Sequence, residues 1–213
     1  MRSLTVYGVN LTVSRNFMSK PYYNKLQNLL DMEVTAFDRL YSLLRFTDVK
    51  KKDFVLKEGD TCKFIGLVQK GTLRTFYVNE KGEEVSFLFH FNQQIEDIVF
   101  TDYESFLLET PSKLNIQALE DSTVCFINYD DWQRLCNESD YWMHFSKKMT
   151  EKVFLAAKRR IEDLLYYSPE NRYLKLLKDN PLLFQKIPQK LIASYLGITP
   201  QSLSRIRKRI CIN

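Results

Sequence analysis

The period of the apolar positions changes twice along the chain. From Tyr22 to Leu44 they recur at helical spacing, at Leu26, Leu29 and Leu30 and then at Phe37, Leu40 and Leu44. Acidic breaks at Asp31 and Asp38 divide this stretch, which predicts one or two short helices. Between residues 53 and 128 the pattern is strand-like. Val85, Phe87, Phe89 and Phe91 alternate with Glu84, Ser86, Leu88 and His90, so one face is strongly apolar and the segment reads as a half-buried strand. Turns at Gly59-Asp60, Lys70-Gly71 and Asn79–Gly82 set off the neighbouring runs FIGLVQ and TLRTFYV. Two more strands, 114–119 and 123–128, meet at Glu120-Asp121-Ser122. Many short strands with closely spaced turns predict an antiparallel sandwich or barrel. Between Ile95 and Thr110 the alternation fails, and FTDYESFLLET is expected as a short helix or loop inserted in the sheet, a kind of insertion that often builds a site.

From Asp130 the period is helical again. Trp142, Phe145, Met149, Val153 and Ala156 share one stripe; Phe154, Ala157, Ile161 and Leu164 form an adjoining one. A helix of about 25 residues with so broad an apolar face needs cover from more than one side. One stripe is expected against its own domain and the other against the same helix of a second copy. Trp142, Phe145, Met149, Val153, Ala156, Ile161 and Leu164 are the candidate dimer-interface residues. Ser168-Pro169 interrupts this run, and the short helix of ENRYLKLLKD ends at Asn180-Pro181.

The final stretch, IPQKLIASYLGITPQSLSRIRKRI, carries the most specific pattern. Pro188 suits a first helical turn, where its missing N–H costs nothing. Ile192, Ala193 and Leu196 make an inner face, and Gly197 stands where the chain must turn sharply. Thr199 is a good N-cap and Pro200 a good first helical residue. Leu203 and Ile206 give the second helix its buried side, and the small Ala193, four residues before Gly197, lets two helices cross closely. This is the spacing of a helix-turn-helix. Thr199, Gln201, Ser202, Ser204, Arg205, Lys208 and Arg209 are the candidate DNA-contacting residues, donors suited to phosphates and base edges in a major groove. The run RIRKR alone would read as a solvated basic helix end; beside the complete pattern it points to DNA.

Composition sharpens the division. The chain has 213 residues, 45% hydrophobic and 27% charged, an ordinary folded composition for one or two domains. Its net charge of +5 hides an asymmetry. Residues 1–142 carry 16 Lys and Arg against 21 Asp and Glu, a net of −5, whereas residues 143–213 carry 15 against 5, a net of +10. The basic part is the one suited to phosphates. No run approaches the ~18 apolar residues of a membrane-spanning helix, and the opening MRSLTVYGVNLTVSRNF lacks the pattern of a signal peptide. A cytoplasmic protein is expected, with no membrane partner and with residues 1–21 as a flexible leader. Cys62, Cys125, Cys136 and Cys211 include no C-x-x-C pair and read as structural thiols. His90 and His144 sit in no metal or triad spacing, and no nucleophile-elbow, zincin or P-loop motif is present. No catalytic residue, no metal and no enzyme activity are expected.

Two stretches resemble the Crp/Fnr family of bacterial transcription regulators, over roughly residues 22–213. One is K-E-G-D at 57–60 with V-x-K-G-T-L-R at 68–74, the marks of a cyclic-nucleotide-binding type of β-roll; the other is I-A-S-Y-L-G-I-T-P-Q-S-L-S-R-I-R-K in the tail. The resemblance implies an α+β fold: an antiparallel, jelly-roll-like β-roll sensor at 22–132, a dimerisation helix at 133–167 and a (winged) helix-turn-helix at 168–213. It implies a homodimer on a two-fold symmetric double-stranded DNA site, with RNA polymerase as a further candidate partner. Departures qualify it. The segment DIVFTDYESFLLETPSKLNIQAL lacks the Gly-Glu pair and the Arg with which cyclic-AMP-binding members hold the phosphate; Ser112-Lys113 stand about where Arg-Ser or Arg-Thr would lie. Cyclic AMP is therefore not the expected ligand, and an effector of unknown identity is assigned to Arg74, Glu104, Ser112 and Lys113. No cysteine precedes Cys62, so the N-terminal iron–sulfur cluster of the family's oxygen sensors is not expected. Pro200-Gln201 replace the Arg-Glu of many recognition helices, so the half-site sequence does not transfer. The sequence stops at Asn213, so any wing is expected from residues 183–189 or in rudimentary form. A competing reading is a β-roll ligand- or protein-binding module without specific DNA binding, which lacks the steep salt dependence of a DNA binder.

Overall fold

The structure, a computed structural model, describes residues 3–6, 9–14 and 20–212, with side chains from Lys20 to Ile210 apart from Glu96. The chain divides into two compact units, one of residues 1–75 and 89–148 and one of residues 76–88 and 149–213.

The first unit is built on antiparallel sheet. Strands β1 (Ser3–Val6) and β2 (Val9–Ser14) pair as a hairpin, and β2 pairs β3 (Arg45–Val49) at Val13 with Thr47 and Ser14 with Phe46. Both strands fall in the stretch expected as a leader, the rest of which before Lys20 lies outside the described residues. The strands are short, but Leu4, Val6, Val9, Leu11 and Val13 alternate at period two, which suits a pleated edge. Helices α1 (Lys20–Leu30) and α2 (Val34–Tyr41) follow, as the spacing of Leu26, Phe37 and Leu40 predicts, and these three are buried. Next come β4 (Phe54–Leu56), β5 (Phe64–Lys70), β6 (Leu73–Val78) and β7 (Glu84–His90). The insertion expected near residues 95–110 forms α3 (Ile95–Ile98), β8 (Val99–Phe100) and α4 (Tyr103–Leu108). β9 (Leu114–Ala118), β10 (Ser122–Asn128) and α5 (Tyr129–Glu138) complete it. The strand order is β1-β2-β3-β10-β5-β8 in one sheet and β4-β9-β6-β7 in the other. Residues alternating inward from both sheets, among them Val49, Leu56, Phe64, Val68, Leu73, Phe100, Ile116, Val124 and Phe126, form the core.

Two glycines, one in a turn and one within a strand, are dictated by the fold. Gly71, between β5 and β6, has φ +94°, and a Cβ there would lie 2.7 Å from the Ser122 Cα. Gly66 is open to the Phe100 ring, which would stand 2.2 Å from a Cβ.

The helix α6 (Asp140–Tyr166) begins in the first unit and continues in the second. It is followed by α7 (Pro169–Asp179), α8 (Pro181–Lys186), α9 (Gln189–Tyr195) and α10 (Pro200–Ile212). Asn180-Pro181 ends α7 and opens α8, as X-Pro geometry requires. The stretch 183–189 offered for a wing lies in α8 and the start of α9, and among the described residues 149–212 every element is a helix. Among the described residues no helix is long and apolar enough to cross a membrane, and no group of three or more His, Cys, Asp or Glu is arranged to hold a metal ion. Cys62, Cys125 and Cys136 are free and buried.

His90 is 2% exposed, with Nε2 2.8 Å from the Thr75 hydroxyl, and burial pushes its pKa down to about 4. The folded chain therefore resists protonation that the unfolded chain accepts near 6.5, so this group leaves stability intact above pH 6.5 and lowers it as pH falls toward 4. Between pH 7 and 4.5 the cost is about 2–3 kcal/mol, and His90→Gln should remove that part of the pH dependence in urea titrations. Gly71→Ala should destabilise the fold by about 1–3 kcal/mol in the same assay, because both φ and the Ser122 backbone oppose a methyl group.

Candidate nucleic-acid interface and sensor segment

Helices α9 and α10 are joined by Leu196, Gly197, Ile198 and Thr199. Gly197 adopts φ +67°, its N–H bonds the Ser194 carbonyl at 3.0 Å and the Ile198 N–H reaches back to Ala193 at 3.0 Å. This pair of bonds is a Schellman closure, which suits glycine because the left-handed residue carries no Cβ. Thr199 then caps α10: its Oγ1 accepts from the Ser202 N–H at 3.2 Å and donates to the Ser202 hydroxyl at 3.0 Å. Ile192, Ala193, Leu196, Leu203 and Ile206 are all under 5% exposed and hold the two helices together. The arrangement is that of a helix-turn-helix.

The sequence-assigned contact residues fall into three groups. Gln201, Ser204, Arg205 and Lys208 are exposed along one side of α10 at helical spacing. Thr199 and Ser202 serve the cap, although the Ser202 hydroxyl keeps a proton to donate outward. Arg209 turns back, its Nη2 2.9 Å from Glu170 on α7. The exposed group sets a guanidinium, an ammonium, an amide and a hydroxyl side by side, a donor set for base edges and phosphates.

The long helix changes partner along its length. Trp142 and Phe145, assigned from sequence to a dimer interface, are 5% and 8% exposed and pack with Trp132 inside the first unit. They are buried by their own chain, the Phe145 ring lying 6.4 Å from that of Trp132 on α5 and 6.1 Å from that of Trp142. Met149 and Ala156 are half-buried, whereas Val153, Ile161 and Leu164 are exposed. Beside them Met143, Phe154 and Leu165 are also exposed, Phe154 at 65%. Met143, Thr150, Phe154, Ala157, Ile161 and Leu164 follow heptad spacing, a seam that the helical period predicts and that the second stripe marked more closely than the first.

The effector candidates occupy two environments. Arg74 and Ser112 are buried, at 2% and 3% exposure. The Ser112 hydroxyl is engaged by the Leu114 backbone, and its main chain joins the Gly59-Asp60 turn through bonds of 2.8 Å. Glu104 and Lys113 face solvent, with side chains 66% and 80% exposed and their charged ends 4.0 Å apart. The inserted segment closes on itself: Asp102 caps α4 at the Ser105 N–H, Ser105 bonds the Cys62 N–H and the Thr110 carbonyl, and Phe106 is buried.

Sequence reasoning missed three polar residues around the helix-turn-helix. Arg160 of α6 is 9% exposed, donates to the Tyr195 carbonyl and lies 3.8 Å from the centre of the Tyr195 ring. It falls on the Met149, Val153, Ala156 stripe, and a cation on an apolar stripe is the sequence clue to it. Arg172 sits in the first turns of α7, where the helix dipole disfavours a cation, which hints at a partner elsewhere. Its Nε donates to the Leu196 carbonyl at 3.1 Å, and its Nη1 to the Leu164 and Tyr167 carbonyls at 3.2 and 2.8 Å. Ser194 of α9 donates to the Glu84 carbonyl at 3.1 Å and accepts from the Ser86 N–H at 2.9 Å, so β7 is bonded to the first helix of the pair. Nothing in the sequence around Ser194 announces this.

Residues 46–139 match the cyclic nucleotide-binding domain family. The transcriptional activator protein Anr of Pseudomonas protegens is 31% identical over 103 residues, 48% of this chain and 38% of that protein. The regulatory protein HlyX of Actinobacillus pleuropneumoniae is 24% identical over 192 residues, 85% of this chain and 77% of that protein. The chain thus spans less than half the length of Anr and about three quarters of HlyX. A solved structure from Eubacterium rectale, assigned to the Crp/Fnr family of transcriptional regulators, superposes with a TM-score of 0.64 at 19% identity, covering 89% of this chain and 88% of that one. By sequence, residues 46–139 match the cyclic nucleotide-binding domain family, and the chain shares the fold of that Crp/Fnr-family structure.

Proposed function

We propose that the protein is a sequence-specific DNA-binding transcription regulator that acts as a homodimer on a two-fold symmetric site. The observation that carries this reading is α10 itself. A capped helix leaves a closed turn and turns Gln201, Ser204, Arg205 and Lys208 outward on one side, while its other side is buried against α9. A helix so presented fits a major groove, with Arg205 placed for the O6 and N7 of a guanine and Gln201 for an adenine. The net charge of +10 over residues 143–213 supplies the attraction to phosphates that makes such binding fast and salt-sensitive. HlyX, described as a regulatory protein, and Anr, described as a transcriptional activator, point the same way.

The dimer is assigned to the exposed seam of α6. Met143, Phe154, Ile161, Leu164 and Leu165 present apolar surface to water, and an isologous helix pair would remove it. The β-roll is assigned the sensing role, with an effector other than cyclic AMP. The inserted segment has no arginine for a cyclic phosphate, and its inward groups, Ser105 and Phe106, are engaged by the chain itself. RNA polymerase is a further partner on this reading.

Selection of binding sites from a random DNA library should enrich a two-fold symmetric sequence; enrichment of none, with only salt-sensitive general binding, would favour the module reading instead. On the selected site, Arg205→Ala should weaken binding by about 1–3 kcal/mol and relax base preference at one position of each half-site, read by fluorescence anisotropy. Replacing Phe154 and Ile161 together by Glu should give a monomer in light scattering and lower affinity for the two-fold site, because two charges would enter the seam.

A further inference from the structure

We propose that Arg172, together with Arg160, is a positioning residue that sets the spacing at which the two half-sites are read; this rests on the dimeric DNA-binding reading above. The starting point is a count of carbonyls at a helix end. The last turn of a helix leaves carbonyls without an intrahelical donor. At the end of α9 the Schellman closure takes the Ala193 and Ser194 carbonyls. Those of Tyr195 and Leu196 are the next in line. Each is taken by an arginine from another helix, Tyr195 by Arg160 of α6 and Leu196 by Arg172 of α7. At the end of α6, Arg172 also takes the carbonyls of Leu164 and Tyr167. One planar guanidinium with diverging donors thereby closes two helix ends at once, a geometry that an ammonium on a flexible stem does not reproduce.

Other contacts brace the same joint. A Cβ on Gly197 would stand 3.4 Å from a Leu164 methyl, so the turn lies against the end of the seam. Lys175 pairs with Asp163 at 2.5 Å and ties α7 to α6; Arg209 pairs with Glu170 and ties α10 to α7. The pairs are partly exposed and individually weak. The arginine bonds are the directional ones, because they join the end of the dimer helix to the very turn that aims α10.

The consequence concerns DNA spacing. If α6 pairs with its copy, the separation and bearing of the two α10 helices follow from how firmly each turn is held to its α6 end. One added base pair shifts a half-site by about 3.4 Å and rotates it by about 35°. A firmly held pair tolerates little of that; a loosened one follows the half-sites.

The experiment takes the full chain and the selected two-fold site, with the central spacer shortened or lengthened by one and two base pairs, and compares wild type with Arg172→Lys, Arg172→Gln and Arg160→Lys. Wild-type affinity should fall about tenfold or more per base pair of misfit, on the scale of a mismatched base pair. The Arg172 variants should bind the optimal spacing more weakly and show a flatter profile, with the penalty for one base pair reduced to about threefold, while light scattering still reports a dimer and the affinity for an isolated half-site is unchanged. Circular dichroism identifies any variant that does not fold, and Arg172→Lys, the mildest change, then carries the test. Equal weakening at every spacing, with the profile unchanged, would show a merely structural role and overturn the inference. Absence of a wild-type optimum at any spacing would instead overturn the dimeric reading on which the inference stands.

Discussion

The carbonyls that helix ends leave without donors are the constraint on which the second unit depends. Its helices are short: α8 has six residues and α9 seven. Helices of that length are not stable in water by themselves, since the few internal bonds do not repay nucleation. They persist because the two helices of the pair bury Ile192, Ala193, Leu196, Leu203 and Ile206 against each other and because the ends are closed by specific groups. Ser168 caps α7 and Thr199 caps α10, Gly197 closes α9 from within, and the guanidinium groups of Arg160 and Arg172 close what the turn leaves open. The α9–α10 pair is thereby held by polar contacts to backbone together with a small core of its own.

The first unit rests on different physics. Its two sheets hold a core of aliphatic and aromatic side chains from alternate positions, and the close approach of strands is set by glycines at Gly66 and Gly71. Several polar groups inside it are held neutral or bonded. His90 is kept uncharged by burial, Tyr22 donates to the Val68 carbonyl at 2.9 Å, and the thiol of Cys125 is pushed far above its ordinary range. The hairpin tip at 76–88 is grouped instead with the C-terminal helices, and the Ser194 hydroxyl bonds both a donor and an acceptor of β7. An edge strand carries such groups in a row, and here a helix occupies part of it.

The helix α6 serves two purposes at different heights. Its first turns bury Trp142 and Phe145, which gives the helix a fixed start, and its later turns leave a heptad seam of Phe154, Ala157, Ile161 and Leu164 facing outward. The same helix places Arg160 inward at the helix-turn-helix, so one side of it bears on the turn while the apolar seam stays exposed. The seam and the Arg160 contact coexist on the same turns because a period of 3.6 sets them on different sides of the helix.

The local features were legible in the residues alone. The alternation at 85–91 marks a strand, but its faces differ from the expectation, with Val85 exposed and Ser86 and His90 buried. The turns at Gly59, Gly71 and Gly82, the break at Ser168-Pro169, the Thr199-Pro200 start and the Gly197 stop all depend on near neighbours, and each stands where its chemistry requires. So did the outward side of α10, because burial of Leu203 and Ile206 settles which residues remain outside. What depended on distant partners was not legible. Periodicity shows that α6 has two apolar stripes, but only the position of Trp132 decides that Trp142 and Phe145 are covered by their own chain. Composition marks Glu104 and Lys113 as charged, but only the fold turns them to solvent while burying Arg74 and Ser112. Residues 3–14 alternate too briefly to be recognised as strands until β3 stands beside them. Arg160 and Arg172 carry no motif at all, since their partners are backbone carbonyls, which every residue possesses and no sequence pattern distinguishes.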